Sequence, residues 1–373
     1  MLSITTKEKL NKALKFIERI CKKNLNLPIL ENVLIEADDS NLILSGTNLE
    51  NALVWKFLAK NEKKGKTCVP VKIFSDIISK VPEGQITLQT KDNFLYLNFA
   101  KSEIKIKTFN ADDYPVIPLY KKETPLIFNS EILLSALSKT VNIPSQSIST
   151  PEFTGVLMSF KENNIYFVAT DRFRLVEKKV NYHKVFDKKV NLILPQPAVR
   201  EMINIFSSDG EIEMYFNPNQ IWIRKEDKRN FEEIIFTSRL ISGEFPEYGE
   251  ILPKEEDYKT IAYLNKDEFV SFLKLGSSFY GKLNQVNLKF LPKENEIEIS
   301  AQDPDVGEYQ GKVKANISGE EIEIFLNYKF LLEGINLIEG EEMKIYLIDD
   351  EKPVLIKGQD ENLIYIVMPI KAV

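Results

Sequence analysis

Apolar and polar residues alternate with period two along much of this chain. Leu42-Ile-Leu44, Ile86-Thr-Leu88, Phe94-Leu-Tyr-Leu-Asn-Phe99 and Ile104-Lys-Ile-Lys-Thr108 carry the pattern in the first third. Ile165–Ala169, Ile212–Phe216, Ile221–Arg224, Glu296–Ser300, Ile322–Phe325 and Lys344–Ile348 carry it onward. A period of two puts every second side chain on the same face, so each run predicts a strand with one buried side. Turn signals such as Pro82-Glu-Gly84 and Asp209-Gly210 separate several of these runs.

Helical spacing breaks the alternation at intervals. Leu10, Leu14, Ile17 and Cys21 recur at steps of 4, 3 and 4, one apolar stripe of a helix. Lys12, Lys15, Arg19 and Lys22 recur at 3, 4 and 3 and form a second, wholly basic stripe. A later helix buries Phe74, Ile77, Ile78 and Val81 and turns Lys72 and Lys80 outward. A basic stripe is ordinarily a solvated helix face. Here it gains weight because the whole pattern returns.

Ser45-Gly-Thr-Asn-Leu-Glu50 reappears as Val168-Ala-Thr-Asp-Arg-Phe173 and again as Ser300-Ala-Gln-Asp-Pro-Asp305. Asn48, Asp171 and Asp303 are thus 123 and 132 positions apart. The helical run from Glu8 matches those from Glu131 and Asp267, and Val69–Phe74 matches Leu194–Val199 and Leu326–Phe330. Solenoid repeats run to roughly 20–50 residues, so this period is that of a domain. The chain is expected to be α+β, three tandem copies of one domain, each with antiparallel sheets and two helices. Short junctions with paired prolines, Asp112–Pro118 with Lys121–Pro125 and Glu244–Tyr248 with Leu252–Asp257, place the domains at 1–122, 123–257 and 258–373. Helices of the later copies are less basic, with Lys139, Arg200, Lys274 and Lys329 as their main cations.

Composition narrows the chemistry. No run of about 18 apolar residues predicts a membrane span, and the N-terminus lacks the apolar stretch of a signal peptide. Cys21 and Cys68 stand far apart without metal spacing, which fits a reduced, cytoplasmic setting. A net charge of −6 argues weakly against a nucleic-acid partner but leaves room for segregated charge. Gly65-Lys-Thr67 resembles the end of a phosphate loop, yet Lys60 stands where that loop needs glycine. No nucleophile elbow, zinc helix or dinucleotide turn is present, and His183 reads as a surface residue in a polar connection. Asp303, Asp305 and Asp349-Asp-Glu351 could offer oxygen ligands to a hard cation, but each also fits an acidic turn. No catalytic residue, cofactor or metal is expected.

The repeated segments also carry a resemblance. Leu27-Pro-Ile-Leu30, Gly46-Thr-Asn-Leu-Glu50, Ala169-Thr-Asp-Arg-Phe-Arg-Leu175, Phe245-Pro-Glu-Tyr248 and Val367-Met-Pro-Ile370 occur in the order and at the distances of the bacterial sliding-clamp family, the beta subunits of DNA polymerase III. The resemblance spans the whole chain. It implies the DNA clamp fold, with sheets outside and helices inside, closing as a head-to-tail homodimer into a ring around duplex DNA. The dimer contact would join Glu103–Phe109 to the region of Phe272–Lys282. The implied partners are a replicative polymerase, an ATP-driven clamp loader and other proteins bearing Gln/Leu/Phe-type peptides, with no membrane.

Residue by residue, the resemblance implies a partner-peptide pocket. One wall is Thr170, Arg172, Phe173, Arg174 and Leu175 with Phe153; Pro246 and Ile251 come from the second junction. Pro353 and Val354 lie on a neighbouring strand, and Val367, Met368, Pro369 and Ile370 form the C-terminal wall. Implied DNA contacts are Lys12, Lys15, Arg19, Lys23, Asn24, Lys72, Lys80, Gln146, Arg200 and Lys274. Arg172-Phe173 replaces the Gly-His of some members, and Glu250 stands at a place that is often basic. Leu194–Ala198 lacks a basic pair found in some members, and Lys371–Val373 runs slightly past the usual end. Two other readings share the repeats: a three-domain binding scaffold that forms no ring, and a metal-dependent hydrolase using Asp303, Asp305 and the acids at 349–351.

Overall fold

A computed structural model describes residues 1–120, 124–147 and 149–370, without the side chains of 187 and 188. The first expected boundary, at Lys122, and the Lys371–Val373 extension lie outside the described residues. The first copy runs β1 (Leu2–Thr6), α1 (Lys7–Ile20), β2 (Asn32–Ala37), β3 (Asn41–Thr47), β4 (Asn51–Leu58), β5 (Lys60–Lys63), β6 (Gly65–Pro70), α2 (Val71–Lys80), β7 (Gln85–Lys91), β8 (Phe94–Phe99) and β9 (Ser102–Lys107). The second runs β10 (Leu126–Asn129), α3 (Ser130–Thr140), β11 (Gly155–Thr170), β12 (Arg174–Pro195), α4 (Gln196–Ile205), β13 (Glu211–Asn217), β14 (Gln220–Asp227) and β15 (Glu232–Arg239). The third runs β16 (Thr260–Asn265), α5 (Lys266–Leu275), β17 (Gln285–Leu291), β18 (Glu296–Asp303), β19 (Gly307–Gly319), β20 (Ile322–Asn327), α6 (Tyr328–Leu337), β21 (Glu342–Leu347), β22 (Val354–Lys357) and β23 (Leu363–Val367). Each copy therefore holds two helices, as its periodicity predicts.

The repeated motif is a turn. Asn48 Oδ1 accepts from the backbone N–H groups of Glu50 and Asn51, and Thr47 Oγ1 donates to Asn51 O. Asp171 Oδ1 accepts in the same way from Phe173 and Arg174, and Thr170 Oγ1 donates to Arg174 O. Asp303 Oδ1 accepts from the Asp305 N–H. A short acceptor side chain that bonds two residues ahead fixes a tight bend, which is why only Asn and Asp fill this position. Asp349 does the same for Glu351 and Lys352, so both acidic clusters are turn residues here. His183 lies within β12 rather than in a connection, exposed and with its ring 4.4 Å from Tyr182. The β11–β12 ribbon continues past it, with Glu162 paired to Phe186.

Two compact units divide the chain, one of residues 1–134 with 197–240 and the other of 135–196 with 241–373. The first unit holds a five-stranded sheet, β5-β1-β7-β8-β9, and an eight-stranded one, β10-β13-β14-β15-β4-β3-β2-β6. The second holds the ten-stranded sheet β11-β12-β23-β22-β21-β16-β19-β18-β17-β20. Every strand pair is antiparallel. Both larger sheets are continuous across a copy boundary, because β15 adds to β4 and β23 adds to β12. Helix α1 buries Leu10, Ala13, Leu14, Ile17 and Ile20, with Thr6 capping its start. In the second unit α6 presses close to β23: a Cβ at Gly334 would lie only 2.1 Å from the Tyr365 ring. That glycine sets how near the α6 side chains come to the sheet's end.

Candidate functional site

The turn Asp171–Arg174 ends the β11–β12 ribbon beside the end of β23, where the Met368 N–H donates to Phe173 O. A cavity of about 830 Å3 opens there, lined by Asn142–Gln146, Asp171–Arg174 and the α6 residues Phe330, Glu333, Asn336 and Leu337. The two arginines of the turn differ sharply. Arg174 is buried, pairs with Asp171 at 2.9 Å and with Glu333, and lies 4.4 Å from the Phe330 ring centroid. Burial opposes its charge, but these acidic partners outweigh that and hold its pKa above the ordinary guanidinium value. Arg172 is exposed and rests 5.8 Å from the Phe153 ring centroid. Phe173 is exposed and stacks on Phe330 at 6.4 Å.

Behind this rim lies an apolar cluster of Leu157, Val168, Leu175, Ile193, Phe245, Leu355 and Ile366, with Tyr248, Leu252 and Tyr258 packed against it. Phe153 meets Phe245 edge-on at 6.2 Å. Pro246 and Ile251 are exposed on the segment that covers the cluster, while Pro353, Met368, Pro369 and Ile370 are half-buried. Tyr248 donates to Glu177 at 2.6 Å. Burial raises the Glu177 carboxyl above its usual range, and that hydrogen bond only partly offsets the rise.

Register separates the expected pocket residues. Arg174 pairs with Val367 and Leu175 with Ile366. Cross-strand partners share a face and neighbours alternate, so Leu175 and Ile366 face one way while Arg174 and Val367 face the other. Val367 and Val354 are fully packed. Thr170 is a turn-former with its hydroxyl spent on Arg174 O and the Arg172 N–H. Gln146, expected at DNA, lines the cavity and donates to Gln196.

The expected DNA-facing residues also divide. In the first unit Lys12 pairs with Glu232 at 2.6 Å, Arg19 with Glu201 at 2.8 Å and Lys80 with Asp76 at 2.8 Å. The hydrogen bond to Glu201 raises the Arg19 pKa further. Lys15, Lys23 and Lys72 are exposed and form no ion pair among the described residues. Asn24 is a turn residue whose Oδ1 accepts from the Asn26 and Leu27 N–H groups. Arg200 is exposed on α4. In the second unit Lys274 is exposed in the last turn of α5, whereas Lys139 is tied to Leu337 O and Glu339.

Three family models match the chain in succession. They describe the N-terminal, central and C-terminal domains of the DNA polymerase III beta subunit, over residues 1–118, 129–247 and 249–371. The chain belongs to the DNA polymerase III beta subunit family. A beta sliding clamp from Synechococcus elongatus is 27% identical over 379 residues, covering 100% of this chain and 99% of that one. One from Bacillus subtilis is 24% identical, covering 98% of each. The crystal structure of a DNA polymerase sliding clamp from Bacillus subtilis superimposes with a TM-score of 0.93 at 23% identity over the full length of both chains. The fold is therefore that of the sliding clamps, and the family is a non-catalytic subunit of the polymerase.

Within this family fold, sequence reading missed Phe245, Leu355 and Ile366 as members of the apolar cluster. A signal existed: Leu363–Val367 is apolar throughout, and only the alternation counted from a paired strand says which residues face the cluster. Lys12 and Arg19 gave no such signal. Their partners lie 220 and 182 positions away.

Proposed function

We propose that this chain is a DNA replication processivity factor, two copies of which close into a ring that encircles duplex DNA and slides along it. The observation that carries this reading is the pattern of strand edges. At each copy boundary the last strand of one copy adds to an equivalent strand of the copy before, β15 onto β4 and β23 onto β12. The remaining members of those sets each keep one bare edge among the described residues, where β9 pairs only with β8, and residues 307–314 of β19 only with β18. An unpaired edge invites another strand. Adding β9 of one copy to β19 of a second extends the same rule and closes head to tail. Both edges carry exposed charges of both signs, Lys101, Glu103, Lys105 and Lys107 at β9 and Asp305, Glu308, Lys312 and Lys314 at β19, and an antiparallel register that sets Lys107 beside Glu308 also sets Glu103 beside Lys312. Exposed apolar residues adjoin both edges, Phe109 just past β9 and Val306 just before β19.

Exposed lysines of α1 and α2 would meet phosphates only, so DNA contact carries no sequence preference and weakens with salt. Tethering at the cavity that Arg172 and Phe173 line, extended by Phe153, Pro246, Ile251 and Met368 as the family resemblance implies, would hold the replicative polymerase, a clamp loader and other partners through Gln/Leu/Phe peptides, raising their effective concentration at the primer end. The flexible Met368 side chain suits varied Leu and Phe anchors. The domains of this reading are 1–122, 123–257 and 258–373, and its setting is the cytoplasm. Among the described residues no helix is long and apolar enough to cross a membrane. Fluorescence anisotropy of a labelled Gln-Leu-x-Leu-Phe peptide tests the pocket: binding near the micromolar range is expected, lost when the chain is cut after Val367. No binding by the intact folded protein would remove the tethering role.

A further inference from the structure

We propose that Arg172 reads a carboxylate on the partner peptide, so that this protein selects acidic members among the peptides its groove accepts. The inference rests on the pocket reading given above and adds the chemistry of one subsite. Arg172 sits at φ +79°, a left-handed conformation that costs free energy for any residue with a Cβ. Leu49, its counterpart in the first copy, sits at φ +74°, so the turn shared by the first two copies takes this conformation with two unlike side chains, whereas the third copy has Pro304 there. Thr170 Oγ1 holds the Arg172 N–H at 3.1 Å, and Asp171 locks the two residues that follow. These bonds fix the Arg172 backbone and with it the direction of its Cα–Cβ bond.

Its charge is also unspent. Arg174, two residues on, is buried and held by Asp171 and Glu333. Arg172 forms no ion pair among the described residues, and its guanidinium lies over the face of Phe153 at 5.8 Å. Phe153 in turn meets Phe245 of the apolar cluster. A guanidinium laid on an aromatic face keeps its N–H edge free for a planar, two-point match to a carboxylate. Glycine would serve φ near +79° best, and Arg172 stands there with its guanidinium over Phe153.

The test uses the full-length chain and its Arg172→Gln and Arg172→Gly variants. Four labelled peptides are titrated by anisotropy: Gln-Leu-x-Leu-Phe with x as Asp or Asn, and the same core with a leading Asp or Asn. The parent protein is expected to bind at least one Asp peptide about fivefold more tightly than its Asn twin, the range of a partly exposed charge pair, with the difference shrinking at high salt. Both variants are expected to bind all four peptides with the preference gone. Arg172→Gly is further expected to melt no lower than the parent, since glycine relieves the turn. Equal binding of Asp and Asn peptides by the parent would overturn the role of Arg172 while leaving the pocket standing. Failure of all four to bind the folded parent would remove the pocket, and this inference with it. A preference that survives in both variants, or variants that lose duplex DNA retention instead, would place the arginine's partner elsewhere and overturn the proposal.

Discussion

At the scale of single residues, the most legible feature was the thrice-repeated turn. Asn48, Asp171 and Asp303 were recognisable because a short side-chain acceptor at a strand end has one common use. Their environments were not legible. Asn48 holds two backbone N–H groups, while Asp171 also holds the buried Arg174 through Nε. Asn48→Ala is therefore expected to cost about 1–2 kcal/mol, and Asp171→Ala measurably more, because it strands part of a buried charge. Urea melts of the two variants check the order; equal losses would contradict it.

The basic stripe shows the limit of the same kind of reading. Spacing placed Lys12, Lys15 and Arg19 on one helix face, yet Glu232 and Glu201 neutralise two of the three. Counterion release depends on charges that reach phosphate. Lys15→Ala and Lys72→Ala should each lower the salt slope of DNA binding by about one, and Lys12→Ala by much less. Titrations of duplex DNA across a salt series decide this. A larger drop for Lys12→Ala would mean that its pair with Glu232 opens on DNA.

At the scale of elements, the two helices of each copy and about ten of the 23 described strands could be read from repetition and periodicity. What periodicity withheld was pairing. It left β12 and β23 unread, and it could not say that Leu175 meets Ile366 and not Val367, since cross-strand register comes from contacts remote in sequence. The covering segment that carries Tyr248 shows what such contacts do. Burial raises the Glu177 carboxyl, so the folded chain holds that proton more tightly than the unfolded chain does. Its contribution is present at acid pH and is lost as pH rises from the ordinary carboxylate range through the raised value. Glu177→Gln keeps an acceptor for Tyr248 and cannot ionise. Its melting temperature is expected to exceed the parent's at neutral pH, with the gap closing toward acid; a constant gap would refute the assignment.

The same scale governs the two bare edges. Reversing Lys105 and Lys107 to Glu would set like charges against Asp305 and Glu308 if β9 meets β19. Light scattering on the dilute double variant should then show the mass of one 43.0 kDa chain, whereas the parent shows twice that. An unchanged dimer would remove β9 from the contact.

At the scale of the whole molecule, the net charge of −6 pointed away from DNA, and composition alone could not overturn it. Repetition could. In the proposed reading, three matched copies joined by one rule leave two bare strand edges, and closure would follow from that pattern more directly than from any single side chain. The claim is topological, and so is its most direct test. Cysteines introduced as Lys107→Cys in β9 and Glu308→Cys in β19 can be bridged by a bis-maleimide in the presence of nicked circular DNA. The native thiols will not compete, because burial pushes both Cys21 and Cys68 up to about 12. The bridged protein is predicted to stay on the circle through a high-salt wash and to leave once the DNA is cut to a linear form. Equal loss from circular and linear DNA would contradict the ring.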